Sequence, residues 1–218
     1  MRVAALYDVH GHRVALEAVL AEVEREQVDA IVFGGDLFLG PQPAETAELV
    51  RSVEASFVRG NCDRDPDEWT RSKLDDETIA WSQSWPLTVE LDGVLYCHAT
   101  PQSDMRPILT DASPPERFEE ALEGVEARTV VAGHTHMQFR RDRWVNAGAV
   151  GWPYEDDVAA FWAIVSDDVE FRRTSFDVER AAGEMLATGW PEAESFVAEN
   201  IRVAPSRAEA TAYFESLE

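Results

Sequence analysis

The sequence predicts an α/β fold, and three observations predict it. Short apolar runs alternate with helical patterns through the first half, two β-rich runs meet at a two-residue turn in the middle, and buried-strand patterns return before the C-terminal region turns helical. At 218 residues and 45% hydrophobic content, with 7 Trp and 10 Phe, the chain can bury one ample core.

Taken in order, "RVAALY" reads as a buried strand and "HRVALEAVLAEVERE" as a helix, with Val14, Leu16, Val19, Leu20 and Val23 largely on one face. "DAIVFGG", "PAETAELVRSV" and "SFVRG" repeat the strand, helix, strand sequence. Such units form parallel strands covered on both sides. In "WPLTVELDGVLYCHATP" the Asp92-Gly93 pair is a two-residue hairpin signal, so antiparallel pairing enters there. A polar loop from Pro101 to Pro115 leads to a helix around Glu116 to Leu122. "RTVVAGHTH" is a further buried strand ending in polar residues. "QFRRDRWVNAG", "AAFWAIVSD" and "VEFRRTSFD" read as strands with turns at Arg141-Asp142 and Asp167-Asp168. Beyond Asp177 the pattern is helical, broken at Trp190-Pro191 and Pro205. The expected organisation is one domain over residues 1–177 and a helical extension over 178–218, packed on the domain or at an oligomer contact.

Composition narrows the partners. The chain carries 42 acidic against 19 basic residues, a formal net charge of −23, and Lys73 is its lone lysine. This surface repels nucleic-acid backbone in bulk, so an anionic substrate needs a local positive centre, and bound metal cations are one. No stretch has the apolar length of a membrane span, and the N-terminus lacks a signal pattern. The expectation is a soluble cytoplasmic protein acting on a small molecule, with a homo-oligomer left open. Cys62 and Cys97 show no zinc-site spacing and are expected to be free thiols.

The chemistry sits at the strand ends. "VAALY" runs into Asp8-Val9-His10, "AIVFGG" into Asp36, "SFVRG" into Asn61-Cys62-Asp63, "VLYC" into His98 and "TVVAG" into His134-Thr135-His136. The carboxyl ends of parallel strands share one sheet edge, so residues far apart in sequence converge there. Asp8 and His10, like His134 and His136, are two apart and would point to one side of an extended segment. Those two pairs can grip one ion while Asp36 bridges to a second, whose shell Asn61, His98 and His134 complete. These O and N donors suit Mn, Fe, Zn or Ni.

The ordered series "DVH", "GGD", "GNCD", "CH" and "GHTH" resembles the calcineurin-like metallophosphoesterases, in particular small bacterial and archaeal phosphodiesterases with Asn-Cys-Asp, over about residues 1 to 175. The resemblance implies a four-layered α/β/β/α sandwich with mixed sheets and two divalent metal ions. Asp8, His10, Asp36 and His136 would hold the first ion and Asp36, Asn61, His98 and His134 the second, with Asn61 and His98 also at the substrate phosphate. It implies a phosphoesterase, a diesterase before a monoesterase, in which a hydroxide bridging the ions attacks phosphorus in line. "VNAGAVGWP" is similar to the family's Asn-Pro-Gly-Ser segment and departs from it at Ala147 and Ala149.

Cys62 stands where many family members carry a His that protonates the leaving oxygen. A thiol with an ordinary pKa of about 8.5 is a poor proton donor, so leaving groups needing little protonation, such as phenolate or nucleotide phosphate, are favoured. Without that His partner, Asp63 is expected to serve local structure. His12, near the start of the first helix, has two readings: contact with substrate phosphate or a proton-transfer role, or a surface His that caps the helix. Arg106, in the loop "MRPILTDASPP", is a candidate for reaching a phosphate. The competing function is a metal-binding interaction scaffold of the same fold, as in a eukaryotic retromer subunit. A metallohydrolase of an amide bond would rest on the His-x-His pair alone and leaves "GGD" and "GNCD" without a role.

Overall fold

A computed structural model describes all 218 residues. Strands β1 (Val3–Leu6), β2 (Ala30–Phe33) and β3 (Ser56–Phe57) run parallel, joined by helices α1 (Arg13–Glu26) and α2 (Pro43–Arg51). Three short helices follow, α3 (Asn61–Arg64), α4 (Glu68–Lys73) and α5 (Asp76–Gln83). The hairpin β4 (Thr88–Leu91) and β5 (Val94–Cys97) turns at Asp92 and Gly93, both at positive φ as a type I′ turn requires. Helix α6 (Pro115–Ala121) leads into β6 (Thr129–Ala132), β7 (Gln138–Arg141) and β8 (Trp144–Ala147). Strands β9 (Ala160–Val165) and β10 (Val169–Thr174) then return beside β1.

The strands make two five-stranded mixed sheets, ordered β10-β9-β1-β2-β3 and β4-β5-β6-β8-β7. Side-chain alternation along β1 explains the layering. Ala4 and Leu6 face Ala15, Leu16, Val19 and Val23 of α1, while Val3, Ala5 and Tyr7 face Tyr96, Val131, Val145 and Ala147 of the second sheet. The outer face of that sheet packs Val130, Ala132, Phe139 and Trp144 on Phe118 and Ala121 of α6. The result is α/β/β/α. The parallel strands are covered on both sides, by helices on one face and by a second sheet on the other, and a second sheet satisfies a continuous apolar run as well as helices do.

The helices α3 to α5 had no counterpart in the sequence reading. They are short and bury polar residues such as Thr70, Thr78 and Ser82, so no apolar period announces them. Their signal is local: Asp67 accepts from the Thr70 N–H at 2.8 Å and Asp75 from the Thr78 N–H at 2.7 Å, each an N-cap.

The C-terminal residues fold back on the sandwich. Helix α7 (Val178–Ala187) buries Ala181, Ala182 and Met185 with Val14 of α1, and Glu184 pairs with Arg13 at 2.7 Å. Helix α8 (Ala193–Phe196) continues into a π turn at Val197–Ile201, and Glu215 of α9 (Arg207–Glu215) bonds Thr110 in the Pro101–Pro115 loop and Arg117 of α6.

Candidate metal centre

Each donor sits just past a strand, on backbone that has left the extended conformation. Asp8, His10, Asp36, His134 and His136 all have φ between 48° and 69°. The expectation that pairs two apart converge through a strand's pleat is therefore corrected. Left-handed turns aim them instead, and each costs on the order of 1 kcal/mol or more for a residue with a β-carbon. Long-range bonds hold these turns. The Asp8 N–H donates to Gly35 O at 3.1 Å, His10 N–H to Asp36 O at 3.0 Å and Gly151 N–H to Asp8 O at 3.0 Å, while the His134 N–H donates to Asp8 Oδ2 at 2.9 Å.

The rings are oriented by main-chain carbonyls. His10 Nδ1 lies 3.2 Å from Leu39 O, His98 Nδ1 2.9 Å from Gly34 O and His136 Nδ1 2.6 Å from Trp152 O. A carbonyl only accepts, so each Nδ1 carries the proton and each Nε2 turns a lone pair inward in the neutral ring. The consequence is a contact that neutral rings cannot satisfy: His10 Nε2 and His136 Nε2 face each other at 3.1 Å, acceptor to acceptor. The Asn61 amide oxygen likewise faces acceptors, 3.1 Å from His134 Nδ1 and 3.3 Å from Asp104 O. Asp8 Oδ1, wholly buried and 3.3 Å from His136 Nε2, accepts no hydrogen bond. Lone pairs aimed at one another around a buried carboxylate fit a cation between them.

Two donor groups of Asp and His alone emerge, Asp8 with His10 and His136, and Asp36 with His98 and His134, and a third joins them through His10, Asp36 and Cys62. Asp36 stands between them, its Oδ2 3.9 Å from His10 Nε2 and 3.4 Å from His98 Nε2. All seven expected ligands thus come to one place. Burial pushes His10 and His134 down to about 4, reinforced by the neighbouring His136 and His98 respectively, so both are neutral donors near pH 7. Burial opposes charge on His98 too, but the Asp36 and Asp8 carboxylates outweigh it and hold His98 up at about 10. A bound cation would have to displace that proton.

Asp63 braces the centre from behind. Its Oδ2 accepts the N–H of Asp36 at 2.7 Å and of Gly60 at 2.9 Å, and its Oδ1 accepts that of Leu37 at 3.1 Å. The sheet end that carries Asp36 is thereby locked to the helix start that carries Asn61. Asn146 does the same for the "GHTH" turn, donating to Gly133 O at 2.6 Å and Thr135 Oγ1 at 2.9 Å while its own oxygen accepts from Gly148 N–H. Trp152 stands edge-on to His10 and Tyr154 stacks on His136, their ring centres 5.5 and 5.3 Å away. Sequence reasoning gave Trp152 and Tyr154 no role at the site, because only the fold brings them to it.

Two proposed substrate contacts are placed elsewhere. His12 is buried, its Nδ1 accepts the Ala15 N–H at 3.2 Å as the cap of α1, and its ring meets Phe176 edge-on. It caps as the second reading expected, but from the interior rather than the surface. The Arg106 guanidinium is given to the end of the chain, bonding Leu217 O at 2.8 Å and Glu218 Oε1 at 2.7 Å. Cys62 is a free thiol whose Sγ accepts from the Asn61 amide at 3.2 Å, and burial with the adjacent Asp36 pushes its pKa far up.

Fold and site together define a two-sheet sandwich with clustered Asp and His side chains that could hold metal. The sequence profile of the calcineurin-like phosphoesterase superfamily domain matches residues 1–167, and the chain belongs to that superfamily. An uncharacterised protein of Methanocaldococcus jannaschii is 23% identical over 233 aligned residues, covering 87% of this chain and 94% of that protein. A metallophosphoesterase from Sphaerobacter thermophilus superposes with a TM-score of 0.76 at 27% identity, over 90% of this chain and 97% of that one. A hypothetical protein of Pyrococcus horikoshii shares the fold, with a TM-score of 0.77 at 18% identity over the same shares. The chain is accordingly a phosphoesterase by family, with His and Asp groups that can hold divalent metal. No helix is long and apolar enough to cross a membrane.

Proposed function

We propose that this protein is a phosphodiesterase that works with two divalent ions, one held by Asp8, His10, Asp36 and His136 and the other by Asp36, Asn61, His98 and His134. The observation that carries the reading is the acceptor-to-acceptor approach of His10 and His136 beside an Asp36 carboxylate that faces both donor groups. When bound, such ions supply Lewis-acid polarisation of phosphoryl oxygens and a nucleophile at neutral pH. The chain's own part is to place and to shield. The Cys62 N–H fixes Asp36 Oδ1 at 2.8 Å, the carbonyls of Leu39, Gly34 and Trp152 fix three rings, and Trp152 and Tyr154 cover the His10 and His136 side from water.

No imidazole takes the leaving-group position, and Cys62 keeps its proton too tightly to serve in its place. General acid assistance is worth roughly 10²- to 10⁴-fold, so its absence favours diesters whose leaving groups depart as stable anions. The complete, inward-facing donor set supports an enzyme rather than an interaction scaffold. The test is to strip the protein of metal and assay bis-p-nitrophenyl phosphate and p-nitrophenyl phosphate before and after adding Mn²⁺ or Ni²⁺, alongside Asp36→Ala. Hydrolysis that needs metal, favours the diester and disappears in the variant is expected. Preference for the monoester overturns the diesterase reading, and equal rates without metal overturn the metal mechanism.

A further inference from the structure

Five of the seven donors are buried, and only Asn61 and His134 are partly exposed, together with Cys62. The open side of the donor cluster is therefore the one that carries Asn61, Cys62 and His134. The short helix α3 has Asn61 as its first residue and Arg64 as its last, three positions apart, so both side chains share one face. Between them stands Asp104, which is 4% exposed. Its main-chain oxygen lies 3.3 Å from the Asn61 amide, and its carboxylate takes Arg64 Nη1 at 3.2 Å and lies 3.7 Å from Arg59 Nε.

Two guanidinium groups share this one buried carboxylate, so the trio carries one unit of positive charge in a chain whose net charge is −23. The two arginines differ in what they can still offer. Arg59 is three-quarters covered and also bonds Gln83 O at 3.2 Å, whereas the Arg64 side chain is 50% exposed and Asp104 is its hydrogen-bonding or ionic partner at one nitrogen. A planar guanidinium anchored at one edge keeps a free fork for a planar or tetrahedral oxyanion.

We infer that Arg64, anchored by Asp104, is a specificity-determining residue that binds a second oxyanion of the substrate, next to the phosphoryl group held at the metal centre. This deepens and rests on the phosphodiesterase reading. The substrate class it selects has a phosphorylated leaving group, as in compounds with two neighbouring phosphates. That class also fits the missing proton donor, because a departing phosphate leaves as an anion. Arg64 supplies the countercharge to that departing anion.

The experiment compares binding of ADP and AMP to the metal-loaded full chain by calorimetry, for wild type, Arg64→Gln and Arg64→Lys. ADP is expected to bind about tenfold or more tightly than AMP in the wild type, as one forked charge-assisted contact implies. In Arg64→Gln the ratio should collapse, and in Arg64→Lys, which keeps the charge toward Asp104 and with it the fold, it should fall to an intermediate value. For bis-p-nitrophenyl phosphate, which has no second oxyanion, the loss in kcat/KM should be smaller than the loss in ADP affinity. An ADP to AMP ratio near one in the wild type, or a ratio that survives in Arg64→Gln, overturns the inference. Wild type that binds ADP selectively yet never hydrolyses the diester would count against the phosphodiesterase reading while the Arg64 assignment stands.

Discussion

Replacing Gly60 with alanine should damage stability and metal affinity together, for a steric reason that its backbone angles do not reveal. Gly60 has φ −90° and ψ 173°, a conformation that any residue adopts. What excludes a side chain is proximity: a β-carbon there would stand 2.5 Å from the Asp36 nitrogen and closer still to Asp36 Oδ1. The nitrogen cannot rotate away, so the β2 end and the α3 start must part by most of an ångström. Both N–H groups converge on Asp63 Oδ2, at 2.7 Å from Asp36 and 2.9 Å from Gly60, so parting them breaks at least one of the two bonds. Overpacking costs about 1–3 kcal/mol and a lost bond to a buried carboxylate about 1.5–3 kcal/mol, together roughly 2.5–6 kcal/mol. For a chain of this length that lowers the melting temperature by roughly 10 °C.

The metal centre should register the same displacement, since Asp36 and Asn61 are carried by the two segments that part. Disturbing a ligand's support lowers metal affinity roughly 10- to 100-fold. Thermal unfolding in chelator and Mn²⁺ titration of the refolded apoprotein would measure the two effects. Gly183→Ala is the companion: nothing lies within 4 Å of its β-carbon position, and it sits inside α7, so alanine should stabilise by about 0.5–1 kcal/mol. Gly60→Ala with the wild-type melting temperature and the wild-type Mn²⁺ affinity would refute the reasoning.

Burial pushes His12 down to about 3, so the unfolded chain binds a proton there that the folded chain does not as pH falls from about 6.5 toward 3. Wild-type stability should therefore drop on acidification by up to a few kcal/mol through this group, and His12→Asn, which keeps a capping acceptor, should show a shallower loss in that window when both are unfolded in chelator. Equal slopes for the two proteins would remove His12 from the acid response. Thr174 Oγ1 accepts the wholly buried Trp162 Nε1–H at 2.8 Å and donates to Glu22 at 2.6 Å. Thr174→Val should cost about 1–3 kcal/mol in urea unfolding by stranding the indole N–H, and no loss would mean the indole finds another acceptor.

The donor set was legible because it depends on residue type and on where apolar runs stop. Asp8, His10, Asp36, Asn61, His98, His134 and His136 each follow an apolar run, and strand ends of one direction share a sheet edge; what the sequence did not show is that two such edges meet, those of β1, β2 and β3 in one sheet and of β5 and β6 in the other. The hairpin at Asp92-Gly93 and the first helix were readable for a similar reason, since turn chemistry and apolar period are local properties. The left-handed turns at the ligands were not readable, because Asp and His do not ordinarily choose them. They are imposed by bonds such as Asp8 to Gly35 and His134 to Asp8, between residues far apart in sequence.

The arginines show the same division. Nothing near Arg106 in sequence says that its guanidinium is taken by Glu218, and nothing near Arg64 says that Asp104 will hold it at the mouth of the site. The sequence by itself determined which chemistry the chain can perform, since donors of the right kind at the ends of buried runs have few other uses. Tertiary structure alone decided which charges are paired and which stay open, because a charged side chain is free to pair with whatever the fold brings within reach, whether 40 residues away, as Asp104 is from Arg64, or 112, as Glu218 is from Arg106.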